Sequence, residues 1–182
     1  MKKNNLWIFK IIIITFILAI FMSIFADTTL GNANLFFAIL LLLIIIFIGI
    51  FFDTIGIAVA SAKIEPFNSM ASQKIKAAKH SIYLIKNASM VANFCNDVIG
   101  DIAGIVSGAA GAIIITKLMQ YDIPFLDKSM ISVVLTGIIA SITVGGKAIG
   151  KIIGLNHSKK VVEKTGIIIY YFDKIFHLKI VE

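Results

Sequence analysis

Four long, predominantly apolar runs, at residues 7–25, 35–62, 91–119 and 130–155, constrain what this chain can fold into more than any other feature. At ~1.5 Å of rise per helical residue, each can cross the ~30 Å hydrocarbon layer of a bilayer. Lipid offers no hydrogen bonds to a bare backbone, so runs of this length and continuity predict helices. The expected fold is an all-α membrane protein with four spans. Composition agrees, because 59% of the 182 residues are hydrophobic, only 15% are charged, and the mean hydropathy is +0.98. That is too apolar for one water-soluble core and leaves no room for a large extramembrane domain.

The segments between the runs have a different period. After Lys63 and an extended-type break before Pro66, residues Phe67, Met70, Ala71, Ile75, Ala78, Ile82 and Ile85 recur at helical spacing, with Lys74, Lys79 and Lys86 on other faces. This predicts one amphipathic helix, or two short ones, lying along the membrane surface within residues 63–90. The tail at 156–182 repeats the style. Lysine placement sets the orientation: Lys2, Lys3, Lys10, those of residues 63–86 and those from Lys147 onward share one side, against Lys117 and Lys128 on the other. The lysine-rich side should be the cytoplasm, with both termini there. Residues 7–25 also resemble a signal peptide, but a cut after Ala26 would place Ile24 at the −3 position, so an uncleaved helix is expected. The absence of Arg beside abundant Ile and Lys points to an AT-rich bacterial genome, hence a bacterial cytoplasmic membrane. The net charge of +7 comes entirely from lysines flanking apolar runs, which anchors helices and argues against nucleic-acid binding. Cys95 is the lone cysteine, so it reads as a packing residue.

Ionisable residues inside the runs carry the functional argument. Counted from the lysine-rich side at the helical rise, Asp53 lies ~15 Å deep, Asp97 ~12 Å, Asp101 ~18 Å and Lys147 ~13 Å. An unpaired charge at such depth costs at least ~2.5–3.5 kcal/mol, so these groups should face inward, pair, or line a hydrated cavity. Asp97 and Asp101 share a stripe with Gly100, Gly104 and Gly108, with Gly111 nearby, where another backbone could approach closely. Thr54 and Gly56 flank Asp53, and glycines surround Lys147. Glycine also lets a membrane helix loosen and free its carbonyls for cations. Hard cations such as Mg²⁺ take oxygen ligands, which Asp53, Asn93, Asn96, Asp97 and Asp101 could supply. The alternative is that an aspartate simply neutralises Lys147, leaving a structural polar layer.

Enzymatic chemistry has little to stand on. Intramembrane aspartyl proteolysis needs paired Asp and a Gly-x-Gly-Asp signature, whereas the chain reads Val98-Ile99-Gly100-Asp101. His80, His157 and His177 fall in the surface segments, where they read as interfacial or solvated, and no Ser/His/Asp or Cys/His spacing stands out. Trp7, Tyr170 and Tyr171 read as interface anchors. The chain is expected not to be an enzyme.

The stretches "FFDTIGIAVASA", "NASMVANFCND" and "GGKAIGK" followed by "NHSKKVV" resemble, in order and spacing, the membrane domain of the cyclin M/CorB/CorC family of magnesium transporters. The likeness covers Leu35 to about Phe176. It implies a homodimer with a three-span core, surface helices between the first two of those spans, and an extra N-terminal helix. On that view residues 1–34 form the added helix and outer loop, and 35–182 the family-like domain with juxtamembrane segments 63–90 and 156–182. The family's "FFS-x-SE" resembles Phe51, Phe52 and Asp53, its Asn near the cation resembles Asn96, and its "GE-x-x-PK" resembles Gly146 to Lys151. The resemblance thus implies Asp53, Asn96 and Gly146 around a Mg²⁺ site. Two departures stand out: Lys147 replaces the acidic residue, and Gly150 replaces the proline. The expected function is divalent cation transport, with Mg²⁺ as cargo. A non-transporting scaffold or partner subunit, with Lys147 in the former ion site, is the alternative. The family's nucleotide-binding domains have no counterpart before Glu182, so no nucleotide is expected, and any such regulation would need a separate subunit.

Overall fold

The computed structural model describes residues 2–120 and 128–176; the expectations placed on His177, and on the side chains of Trp7 and Lys128, lie outside the described residues. Every described element is helical: α1 Lys2–Asn32, α2 Leu35–Ser61, α3 Glu65–Ser72, α4 Ala78–Lys86, α5 Ala88–Asn93, a π-helical segment Phe94–Gly100, α6 Asp101–Leu118, α7 Lys128–Asn156 and α8 Ser158–Phe176. Four stretches are long and apolar enough to cross a membrane, Ile8–Asn32, Leu35–Ser61, Ala88–Leu118 and Ser129–Asn156, as the apolar runs predict. Large apolar side chains lie exposed along all of them, among them Phe16, Phe36, Phe47, Ile105 and Val133. A surface this apolar is unsuited to water and suited to lipid.

The helix ends follow from local chemistry. α1 continues past Phe25 to Asn32 because Thr28 Oγ donates to the Ile24 carbonyl (2.8 Å) and Asn32 Nδ2 to that of Thr28 (3.1 Å), so the polar residues do not break it. Lys117 Nζ then donates to the carbonyls of Gly31 (3.0 Å) and Ala33, placing a cation where the helix leaves its carbonyls unpaired. Asn34 starts α2, its Oδ1 accepting from the Phe37 amide at 2.9 Å as an N-cap.

The surface segment is two helices, one of the two outcomes the sequence left open. Ile64, before α3, is in the right-handed helical region, and Pro66 sits in the first turn, where its missing N–H costs nothing. The break comes at Lys74, whose φ of 59° is left-handed. Its amide donates to the Ala71 carbonyl (2.9 Å) and the Ile75 amide to that of Met70 (3.1 Å), the pattern of a Schellman stop with lysine in the usual glycine position.

The chain divides into two compact units. The first comprises Met1–Ile50 and Val98–Gly146, the second Phe51–Asp97 and Lys147–Glu182. The first unit's core is aliphatic and built from α1, α2, the end of the π-helical segment and α6, including Leu30, Ala38, Ile45, Val98, Val106 and Ala110. In the second, Ile55, Val59, Phe67, Leu84, Cys95 and Val162 gather from α2, α3, α4, the π-helical segment and α8. Cys95 is a buried packing residue there, as its isolation predicts.

Candidate functional site

The residues expected around a cation fall as follows. Asp53 is in α2, Asn93 ends α5, Asn96 and Asp97 lie in the π-helical segment, Asp101 opens α6, and Gly146 and Lys147 are in α7. Asp53, Asn93, Asn96, Asp97 and Lys147 belong to the second unit, Asp101 and Gly146 to the first. Asp53, Asn93, Asn96 and Lys147 are half-buried, whereas Asp97 and Asp101 are exposed on the surface of the single chain. Asp53, Asp101 and Lys147 all have interaction partners.

The π-helical segment is the feature the sequence did not announce. Bonding from i to i+5 widens the turn and shifts the phase of the helix, so side chains before residue 94 and after residue 100 no longer follow one stripe. Within it the Asn96 amide lies directly over Gly56 of α2: a Cβ at Gly56 would come 2.0 Å from Asn96 Oδ1. Glycine at 56 is therefore what admits the amide. Among the described residues Asn96 Oδ1 is buried without a hydrogen-bond partner. An acceptor in that state costs ~1–3 kcal/mol. Asp53 lies one turn earlier on α2 and Asp97 is the next residue of the segment, so carboxylates neighbour both halves of this contact in sequence.

The glycine stripe is close-packed within the chain only in part. At Gly104 and Gly108 a Cβ would meet nothing within 4 Å among the described residues, whereas at Gly111 it would come 2.7 Å from Ile139 Cδ1, and the carbonyl of buried Gly100 lies 3.8 Å from where a Cβ would stand at Gly49. Instead Gly104 and Gly108 line a groove of about 630 Å³ with Ser107, Thr136, Ile139 and Thr143. Its hydroxyls are satisfied locally, Ser107 by the Gly104 carbonyl and Thr143 by that of Ile139, both at 2.8 Å. The tight approaches occur elsewhere, at Gly49 against Ala103, at Gly146 against Ile50, and at Gly154 against the Thr54 carbonyl.

A second polar contact, also unforeseen, joins α4 to α8. His80, read as interfacial or solvated, is 6% exposed, so it is not solvated, and its Nε2 lies 3.0 Å from Asp173 Oδ2. The ring packs edge-on to Tyr170 at 5.6 Å, and Nδ1 is buried without a partner among the described residues. Beside it, Ser81 Oγ donates to the Val162 carbonyl at 3.3 Å, over Gly166, where a Cβ would sit 2.1 Å from that hydroxyl. The pairing residues are 93 positions apart, so no local spacing could have signalled it.

Among the described residues no three His, Cys, Asp or Glu side chains come together so as to hold a metal ion. A cation in the second unit would therefore be held by carboxylate together with amide, backbone carbonyl and water oxygens, a set that suits Mg²⁺ and Ca²⁺ but not Zn²⁺. No protein-family model matches the chain, and neither a curated protein nor a solved structure matches it significantly. The likeness to the cyclin M/CorB/CorC membrane domain accordingly rests on the residues quoted for it.

Proposed function

We propose that this chain is a multi-pass protein of the bacterial cytoplasmic membrane that moves a divalent cation, Mg²⁺ foremost, through an intramembrane polar site. Both termini lie in the cytoplasm, three spans form the core, and the first span is an added N-terminal helix. The observation that carries the reading is Asn96 Oδ1, a buried carbonyl oxygen with no hydrogen-bond partner among the described residues, seated on Gly56 in a π-helical turn. A cation satisfies such an oxygen, and Asp53 and Asp97 supply the negative charge a hard cation requires. Asp97 is exposed on the single chain, yet it lies in a stretch able to span the membrane. A carboxylate there is costly against lipid, so the working unit is a homodimer or encloses a hydrated path at that face. Alternating access of the site to the two sides would then move the ion.

Flux in proteoliposomes tests the proposal. Purified protein should carry Mg²⁺ down its gradient, and Asp53→Asn and Asn96→Leu should each abolish that flux while the protein stays folded. Flux absent from the wild type, or unchanged in both variants, rejects it.

The second reading, a non-transporting scaffold or partner subunit, is favoured by Lys147. This half-buried cation stands where the resembling family has a carboxylate, and it would repel a divalent ion. On that reading Lys147→Glu disrupts the fold. On the transport reading it leaves the fold intact and strengthens ion binding.

A further inference from the structure

Helix α8 carries an exposed apolar stripe that its packing leaves uncovered. Ile168, Tyr171, Phe172, Ile175 and Phe176 recur at helical spacing and are all exposed, Ile175 to 68%, and Phe172 and Phe176 stack with ring centroids 5.6 Å apart. The opposite side holds Val162, Gly166 and Asp173, and it is this side that meets α4, through Ser81 and His80. The seam therefore fixes the rotation of α8 and turns the stripe outward. All four lysines of the helix, Lys159, Lys160, Lys164 and Lys174, are exposed. Lys160 and Lys164 precede Ile168 at four-residue intervals, so they extend the line of the stripe towards the start of the helix.

We infer that this face of α8 is a docking surface for anionic phospholipid, with the aromatic and aliphatic stripe at the acyl boundary and the lysines on the phosphates. Two observations select this occupant. The first is charge: the lysines bordering the stripe, with exposed Lys79 and Lys86 on the partner helix α4, complement a negatively charged surface. The second is tethering: α8 begins at Ser158, directly after His157 and the end of an apolar span at Asn156. Ile168 is twelve residues beyond Asn156, ~18 Å if the helix ran straight out, which exceeds the ~6 Å headgroup layer on one side of a bilayer. Only a helix lying along the interface puts the whole stripe in lipid. This surface goes beyond the ion site and does not depend on it; transport could fail while lipid docking holds, or the reverse.

Fluorescence of the full chain tests it. In a Trp7→Phe background, which removes the native indole, Phe172→Trp places a reporter in the stripe. The protein is reconstituted into phosphatidylcholine or phosphatidylglycerol vesicles, with and without acyl-brominated lipid. The expected result is blue-shifted emission quenched by bromine, more strongly in phosphatidylglycerol, with the excess removed by Lys160→Gln plus Lys164→Gln. A water-like, unquenched reporter overturns the inference. So does a reporter that is shielded yet unquenched, since protein would then cover the stripe. Equal quenching in the two lipids overturns the assignment to anionic headgroups.

Discussion

The two units solve the same problem, packing apolar helices, with different materials. In the first, the interior is aliphatic, Ser107, the one buried polar side chain among its described residues, bonds its own helix, and Lys117 is satisfied by two carbonyls. In the second, both buried polar side-chain atoms without a partner among the described residues are found, Asn96 Oδ1 and His80 Nδ1. One belongs to a residue in the π-helical segment over Gly56; the other sits at the seam between α4 and α8. Buried polar atoms without a partner are costly, and among the described residues both fall in the second unit. The contrast teaches that the first unit meets its polar groups within its own helices, whereas the second buries polar groups from different helices against one another.

Several substitutions can break or sharpen this contrast, each read as a change in unfolding free energy by denaturing-detergent titration. The largest effect is expected at Gly166→Leu: the added side chain meets both the hydroxyl and the backbone amide of Ser81, so α4 and α8 must separate, at ~3 kcal/mol or more. A loss under 1 kcal/mol would mean that the seam does not fix α8. Asp173→Ala comes next, at ~1–3 kcal/mol, because it strips His80 of the partner of its one engaged nitrogen. Combining it with His80→Leu should recover part of that loss. In the first unit Lys117→Met should cost about 1 kcal/mol by uncovering the carbonyls at the end of α1. The smallest effect is expected at Gly104→Ala and Gly108→Ala, which enter open space and should be neutral or stabilise by ~0.5–1 kcal/mol. Destabilisation there would show that another chain covers the stripe and would weaken the view of the first unit as self-sufficient.

Legibility in the sequence followed the range of the interaction. The spans were readable because each is a long, predominantly apolar run, a purely local signal that lipid enforces. The surface helices were readable from their period, but not the break between them, since Lys74 takes a left-handed conformation that glycine would have advertised. Asp53, Asn96 and Asp97 could be picked out as polar residues within apolar runs. What could not be read was the widened turn holding Asn96, because no composition marks a π-helical segment, nor the glycine that receives it, because Gly56 and Asn96 meet only in the folded chain. The burial of His80 could not be read for the same reason: its partner Asp173 lies in another helix. The glycine stripe of α6 was visible, but its small residues line a groove at Gly104 and Gly108 instead of receiving a neighbouring backbone.

The central claim is that the second unit's oxygens hold a divalent cation. Binding of Mn²⁺, a paramagnetic stand-in for Mg²⁺ with the same liking for oxygen, can be followed by electron paramagnetic resonance on the purified protein in detergent. The account predicts a saturable site that Mg²⁺ displaces and that weakens at least about tenfold in both Asp53→Asn and Asn96→Leu, the size expected when a ligand worth ~1.4 kcal/mol is lost. No saturable binding, or binding equally tight in the wild type and both variants, would contradict it.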